Sequence, residues 1–275
     1  MATSTPTRTQ AERADHTRAR ILDAAIRAFS DNGLAGARTE QIAEEAGVNK
    51  ALLYYYFKSK EDLYAAALEQ VIESVRAESV SVLATDASAG ERFLQIVLGN
   101  FDRSHSHPAM KSMMQQEMVR LHRGEENRIE SMAEKFFRPL WAMIDKLLDE
   151  GINSGELIQV DSTQMRYAAL GANLLYFLSA PLIKLAMGTD PLEPRELELR
   201  RKAAVEYLGQ TIFTDRQHGA RIAARVLART PMPGGSATGN NALSIDPLAK
   251  LNFDCKKRQG TTSVVPLVQQ EDVGL

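Results

Sequence analysis

Cysteine is nearly missing from this chain. A single one, Cys255, stands among 275 residues. One cysteine cannot close an internal disulfide, which excludes a disulfide-stapled secreted scaffold and fits a reducing cytoplasm. The first fifteen residues, MATSTPTRTQAERAD, have no apolar centre, so no secretory signal is expected. A strong charge of either sign is also lacking. The net charge of −2 argues against a protein coated in nucleic acid or held broadly on an anionic membrane. The most apolar run, Ala168 to Ile183, contains Asn173, Ser179 and Pro181 and is shorter than the ~20 residues a spanning helix wants. It reads as a buried or subunit-interface helix, with no membrane partner. Strand-like alternation of useful length is missing ahead of residue 231, and so is any internal repeat. No nucleophile–base–orienter set, glycine-rich phosphate loop or metal-ligand cluster stands out. No catalytic or metal residue is therefore assigned, no cofactor is expected, and the expected fold class is all-α.

What is present is an ordinary globular composition, 44% hydrophobic and 25% charged, in a chain long enough to bury a sizeable core. Charge leans to one end. Residues 1–60 hold nine Lys/Arg against seven acids, a surplus of two. Within that region Thr39 to Lys60 reads as two short helices around a tight turn. Ile42, Ala43 and Ala46 make one apolar face. Gly47 follows where a left-handed residue is needed, and Asn49 is a good N-cap for the second helix. Leu53, Tyr56 and Phe57 give that helix an inner face. Its outer face carries Lys50, Ala51, Leu52, Tyr54 and Tyr55. Two helices crossed through a short Gly turn form a helix-turn-helix, whose second helix enters the DNA major groove.

The remaining organisation is helical throughout. Residues 1–12 read as a flexible arm, and Arg13 to Ser30 as a helix stopped by Asn32-Gly33. Residues 13–60 form the DNA-binding domain. Ser59 and Asp62 sit at N-cap and N3 of a longer connecting helix that opens a second domain, residues 61–230. Ala84 to Gly90 is a linker. Helices are then expected over Glu91–Ser104, Met110–His122, Glu125–Asn153, Ser162–Met187 (interrupted by Pro181), Pro194–Ile212 and Asp215–Arg229. Residues 231–275 are rich in Pro, Gly, Ser, Asn and Thr and read as a disordered tail.

The N-terminal part resembles the TetR family of bacterial transcriptional regulators. The resemblance is carried by Gly33, by Ile42-Ala43-Glu44-Glu45-Ala46-Gly47-Val48, by Leu53-Tyr54-Tyr55-Tyr56-Phe57 and by Ser59-Lys60-Glu61-Asp62-Leu63. It covers roughly residues 13–68. Arg38, Thr39, Asn49 and Ala51 depart from the commonest choices in detail only. The second domain is similar to the family in layout alone, with the G-x-x-x-G-E-L step at Gly151 to Leu157. The resemblance implies a homodimer on palindromic double-stranded DNA that is released by a small molecule; the methionine and aromatic residues of the second domain make a hydrophobic or amphipathic effector, and a cytoplasmic repressor, the expected reading.

Site residues follow from this reading. Arg38, Thr39, Lys50, Ala51, Leu52, Tyr54, Tyr55 and Lys60 are the candidate DNA contacts. Lys60 stands in the first turn of a helix, where backbone N–H groups favour phosphate. Met114, Met118, Phe136, Leu140, Leu175 and Tyr176 are the candidate effector contacts, because methionine repacks easily around varied ligands. A core stripe of methionine and aromatic residues would look the same. His105, His107 and His122 lack a nearby acid or cysteine at ligand spacing. Arg221, Arg225 and Arg229 read as a solvated helix face.

Overall fold

The computed structural model describes residues 10–232. Residues 1–9 of the expected arm, and the expected tail with Cys255 from 233 onward, lie outside them. The described part is a bundle of helices in this order: α1 (Gln10–Gly36), α2 (Thr39–Glu45), α3 (Lys50–Tyr56), α4 (Lys60–Leu83), α5 (Ala89–Ser106), α6 (Pro108–His122), α7 (Ile129–Met132), a π-helical turn (Ala133–Phe137), α8 (Arg138–Asn153), α9 (Ser162–Met187), α10 (Pro194–Thr211) and α11 (Arg216–Arg229). Among the described residues the extended pairing is limited to one antiparallel bridge, Leu157 with Phe213.

Several helix starts are set by side chains that take orphan backbone N–H groups. Ser59 Oγ accepts from Asp62 N at 3.0 Å to open α4, and Ser88 Oγ accepts from Glu91 N at 3.3 Å to open α5. Asp161 and Asp215 do the same for α9 and α11, at 2.8 Å from Gln164 N and from Gln217 N. Three expectations shift. The first helix begins at Gln10 rather than Arg13; its helical backbone breaks at Gly33, φ +67°, where the sequence places the stop, and a short further stretch runs on to Gly36. The long helix expected from Glu125 begins at Ile129, because the buried Glu117 carboxylate and the Asn127 side chain take the N–H groups of Arg128 and Ile129. Pro181 sits inside α9 without ending it.

Two main cores hold the bundle. The first gathers Ile21, Leu22, Ala25 and Phe29 of α1, Ile42 of α2, Leu53 of α3, and Leu63, Tyr64, Leu68 and Ile72 of α4. It also takes Met113 of α6, Met132 and Phe136. Burying each large apolar side chain stabilises by about 1.5–3 kcal/mol. The packing therefore runs across the expected 60/61 boundary, since α4 and α6 belong to the same core as the helix-turn-helix. The second core joins Phe93, Leu94 and Val97 of α5 to Ile144 and Leu148 of α8, Val205 of α10, and Ile222 and Val226 of α11. A small third cluster is Phe101, Phe177 and Leu197, with Tyr176 against it.

Buried polar groups tie the elements together. Glu117, fully buried, accepts from Tyr64 Oη at 3.0 Å and from Arg120 at 3.2 Å. Ser112 Oγ donates to Ser30 O at 2.6 Å and Gln116 Nε2 to Phe29 O at 3.2 Å, so α6 takes the carbonyl end of α1. Arg201 forks onto Asp102 at 2.6 and 2.8 Å and donates also to Thr230 O at 2.8 Å. The arginine row on α11 is not simply solvated: Arg225 and Arg229 reach the buried Glu91 at 3.0 and 3.3 Å.

Candidate nucleic-acid interface and effector groove

The turn between α2 and α3 is built on Gly47 at φ +65°, a conformation other residues adopt only with strain. Arg20 of α1 donates to Ala46 O and fills the space beside that glycine, so a Cβ there would also meet its guanidinium. Asn49 Oδ1 then accepts from Leu52 N at 2.7 Å and starts α3. Leu53 and Phe57 go into the core and Tyr56 is half-buried, as the spacing predicts.

The outer face of α3 is open. Lys50, Ala51, Leu52, Tyr54 and Tyr55 are all exposed, Tyr55 by 80%. Tyr55 stands edge-on to Tyr56 with ring centroids 5.4 Å apart, which holds its phenol outward. Lys50 lies over the Tyr54 ring at 5.8 Å and donates to Glu40 of α2. That hydrogen bond, with the Coulomb attraction behind it, raises the lysine above its ordinary range and lowers the Glu40 carboxyl. Lys60 is half-buried beside the same face, its Nζ donating to Ala35 O at 3.2 Å. Arg38 is exposed immediately before α2. Thr39 differs from the rest. It is buried, and its hydroxyl lies 3.3 Å from Tyr54 Oη. It orients Tyr54 from behind and does not itself face outward. Sequence reasoning passed over Glu40 and Arg20, since neither shows in a helical period; each is defined by a partner on another helix.

The six candidate effector residues are not brought together. Met114 packs half-buried beside the first core, which contains Phe136, while Leu140 belongs to the second. Tyr176 leans on the third cluster and donates its hydroxyl to Pro191 O. Met118 and Leu175 are exposed on α6 and α9, Leu175 by 63%. The methionine stripe is thus divided between core and surface. An open groove of 380 Å³ lies instead along the π-helical turn and α8, lined by Ala133, Phe137, Arg138, Trp141, Ala142 and Asp145. Arg166 of α9 closes one side: it bonds Asp145 at 2.6 Å and stacks between Trp141 and Tyr167 at 4.8 and 4.6 Å. Single π-helical turns inside α-helices recur at ligand sites.

A second open surface runs along α9. Tyr167, Leu174, Leu175, Leu178, Leu182 and Leu185 are each at least half exposed, and on α10 Leu199 and Tyr207 are exposed as well. α9 is long and apolar enough by composition to cross a membrane. Its opposite face, however, packs on α5 and α8 through the buried polar residues Asn173 and Arg166. Among the described residues no cluster of histidine, cysteine and acids is placed to hold a metal. His105 stacks on Phe177 and His122 bonds Met118 O.

Comparison with known proteins agrees with this geometry. Residues 21–67 match the family model for bacterial regulatory proteins of the tetR family, and residues 91–208 match the tetracyclin repressor-like C-terminal domain. The HTH-type transcriptional repressor NicS of Pseudomonas putida is 34% identical over 115 residues, which are 42% of this chain and 53% of NicS. The chain thus spans about half the length of that relative. The HTH-type transcriptional regulator BetI of Cronobacter sakazakii is 32% identical over 166 residues, covering 56% of this chain and 80% of BetI. Two solved structures share the fold. A transcriptional regulator of Saccharomonospora viridis in complex with choline has TM-score 0.60 at 19% identity, over 73% of this chain and all of that one. FadR of Bacillus subtilis in complex with stearoyl-CoA has TM-score 0.54 at 21% identity, over 69% and 96%.

Proposed function

Because the chain belongs to the TetR family of bacterial transcriptional regulators, we propose that it is a cytoplasmic, homodimeric repressor that binds a palindromic operator and leaves it when a small hydrophobic or amphipathic effector binds. The observation that carries the DNA-binding part is the outer face of α3, where Lys50, Tyr54 and Tyr55 stand exposed beside Lys60 at the start of α4. Phosphate contacts position such a protein, and the few side chains that reach base edges select the site. Arg38, Tyr54 and Lys60 suit the first role. Lys50, Ala51, Leu52 and Tyr55 are offered to the groove.

The exposed stripe of α9 and α10 supports the dimer. Apolar surface of this extent on a soluble regulator is covered by a partner, and a two-fold copy of the same face is the simplest cover. The groove at the π-helical turn supports the effector. Phe137 and Trp141 give it an apolar floor, while the exposed Arg138 and the Asp145–Arg166 ion pair stand at its rim. A ligand that binds better when the two heads are differently spaced lowers operator affinity by its differential affinity for the two spacings, about 1–3 kcal/mol or 5–150-fold. The α6 latch onto α1 and the Tyr64–Glu117 bond provide the mechanical link to the heads.

Trp141 is the chain's single tryptophan, which makes the groove directly observable. Titrating the protein with stearoyl-CoA and with choline, the ligands of the two structural neighbours, tests the two ends of the proposed chemistry. The expected result is a shift or quench of tryptophan emission by the amphipathic acyl compound, together with release of DNA followed by fluorescence anisotropy. Release of DNA with no change at Trp141 would place the effector elsewhere.

A further inference from the structure

Glu40 is an acid on a surface built to meet a polyanion. It is the second residue of α2, and its carboxylate takes the hydrogen bond of Lys50, the first residue of α3. Both side chains are more than half in water, 63% for Glu40 and 51% for Lys50. An ion pair that exposed adds little to folding, so stability does not explain it. Binding to phosphate alone does not explain it either, because a carboxylate beside the backbone repels. The pair is nevertheless held in place: Lys50 lies over the Tyr54 ring, and Tyr54 Oη is fixed by the buried Thr39 hydroxyl.

We propose that Glu40 and Lys50 act as one reading unit for a single G·C base pair in each half-site, Lys50 donating to guanine O6 and N7 and Glu40 accepting from cytosine N4. This rests on the DNA-binding reading above. The chemistry follows from what the major groove offers. Guanine presents two acceptors and its cytosine one amino donor, and a neighbouring ammonium and carboxylate are their complement. A thymine in place of that cytosine would meet the carboxylate with an acceptor and a methyl group. Glu40 thereby makes the site selective: it removes Lys50 from non-specific phosphate contact and turns it toward one base pair.

The test is selection of duplexes from a random DNA library with the full-length wild type, Glu40→Ala, Lys50→Ala and the double variant. The wild type is expected to prefer G·C at one half-site position by about tenfold or more. Each single variant, and the double variant no further, should lower that preference to less than about threefold. Other positions should keep their preferences. Glu40→Ala should also bind non-specific duplex more tightly, with a salt dependence steeper by about one unit of slope, because Lys50 is then released to phosphate. A G·C preference that survives in Glu40→Ala, or a uniform loss of affinity with unchanged discrimination, would overturn the proposal. If the wild type itself enriches no sequence, it is the DNA-binding reading that fails.

Discussion

The recognition face and the α9 face both leave large side chains in water, with opposite chemistry. On α3 the exposed groups include two tyrosines and a lysine: Tyr54 and Lys50 have polar partners in Thr39 and Glu40, and Tyr55 stands edge-on to Tyr56. Such a surface is stable as it stands and waits for a charged partner. On α9 the exposed groups are mostly leucines, with Tyr167 near the N-terminal end of the helix. That surface is incomplete and asks for an apolar cover. One bundle thus prepares two surfaces by different means. The first is preorganised by hydrogen bonds above a closed core. The second is a strip of core left without its other half.

The largest expected effect comes from opening the closed side. Glu117→Ala leaves Tyr64 Oη, Arg120 and Arg128 N without their shared acceptor, a loss of about 3–5 kcal/mol for a buried charged network. Chemical denaturation would show a lower midpoint at unchanged slope, and an unaltered midpoint would mean that the latch between α4 and α6 contributes nothing. Next is the incomplete side. Leu178→Glu with Leu182→Glu sets like charges face to face in the proposed seam while touching no buried contact. The monomer should stay folded by circular dichroism, and sedimentation should show the dimer weakened by at least about a hundredfold, on the order of 3 kcal/mol. A wild type that sediments as a monomer at micromolar concentration would remove the seam altogether.

Smaller changes sharpen the comparison within the recognition side. Asn49→Ala removes the cap of α3 and should cost about 1 kcal/mol of stability, readable as a shift in the denaturation midpoint. Lys60→Ala should weaken binding to every DNA sequence alike and lower the salt slope by about one, since one phosphate contact fewer releases fewer counterions. The slightest effect is expected for the stability of Glu40→Ala, whose melting temperature should equal the wild type's, because the pair it breaks is open to water.

The recognition side was legible almost residue by residue. Gly47, Asn49 and Ser59 occupy positions where a left-handed turn or a side-chain cap is decided by local chemistry, and the structure has each in that role. The effector side was legible only as helices. Leu175 and Tyr176 are neighbours in an α9 that is apolar nearly all round, so periodicity could not tell which one faces out. One is exposed, and the other bonds Pro191 O. The start at Ile129 was decided by Glu117, and the pairing of Arg225 with Glu91 spans 134 positions. Neither leaves a trace in local pattern. The π-helical turn at Ala133–Phe137 has no sequence signature of its own.

In the proposed repressor, two copies joined through α9 and α10 present two α3 helices to one DNA dyad. Hydroxyl-radical footprinting of wild-type protein on a duplex selected from a random library tests it most directly. Two equivalent protected patches related by a two-fold axis are expected, their major-groove centres about 34–36 Å or one helical turn apart. The Leu178→Glu/Leu182→Glu protein should protect neither at the same concentration. A single asymmetric patch, or an undiminished symmetric footprint from that variant, would contradict it.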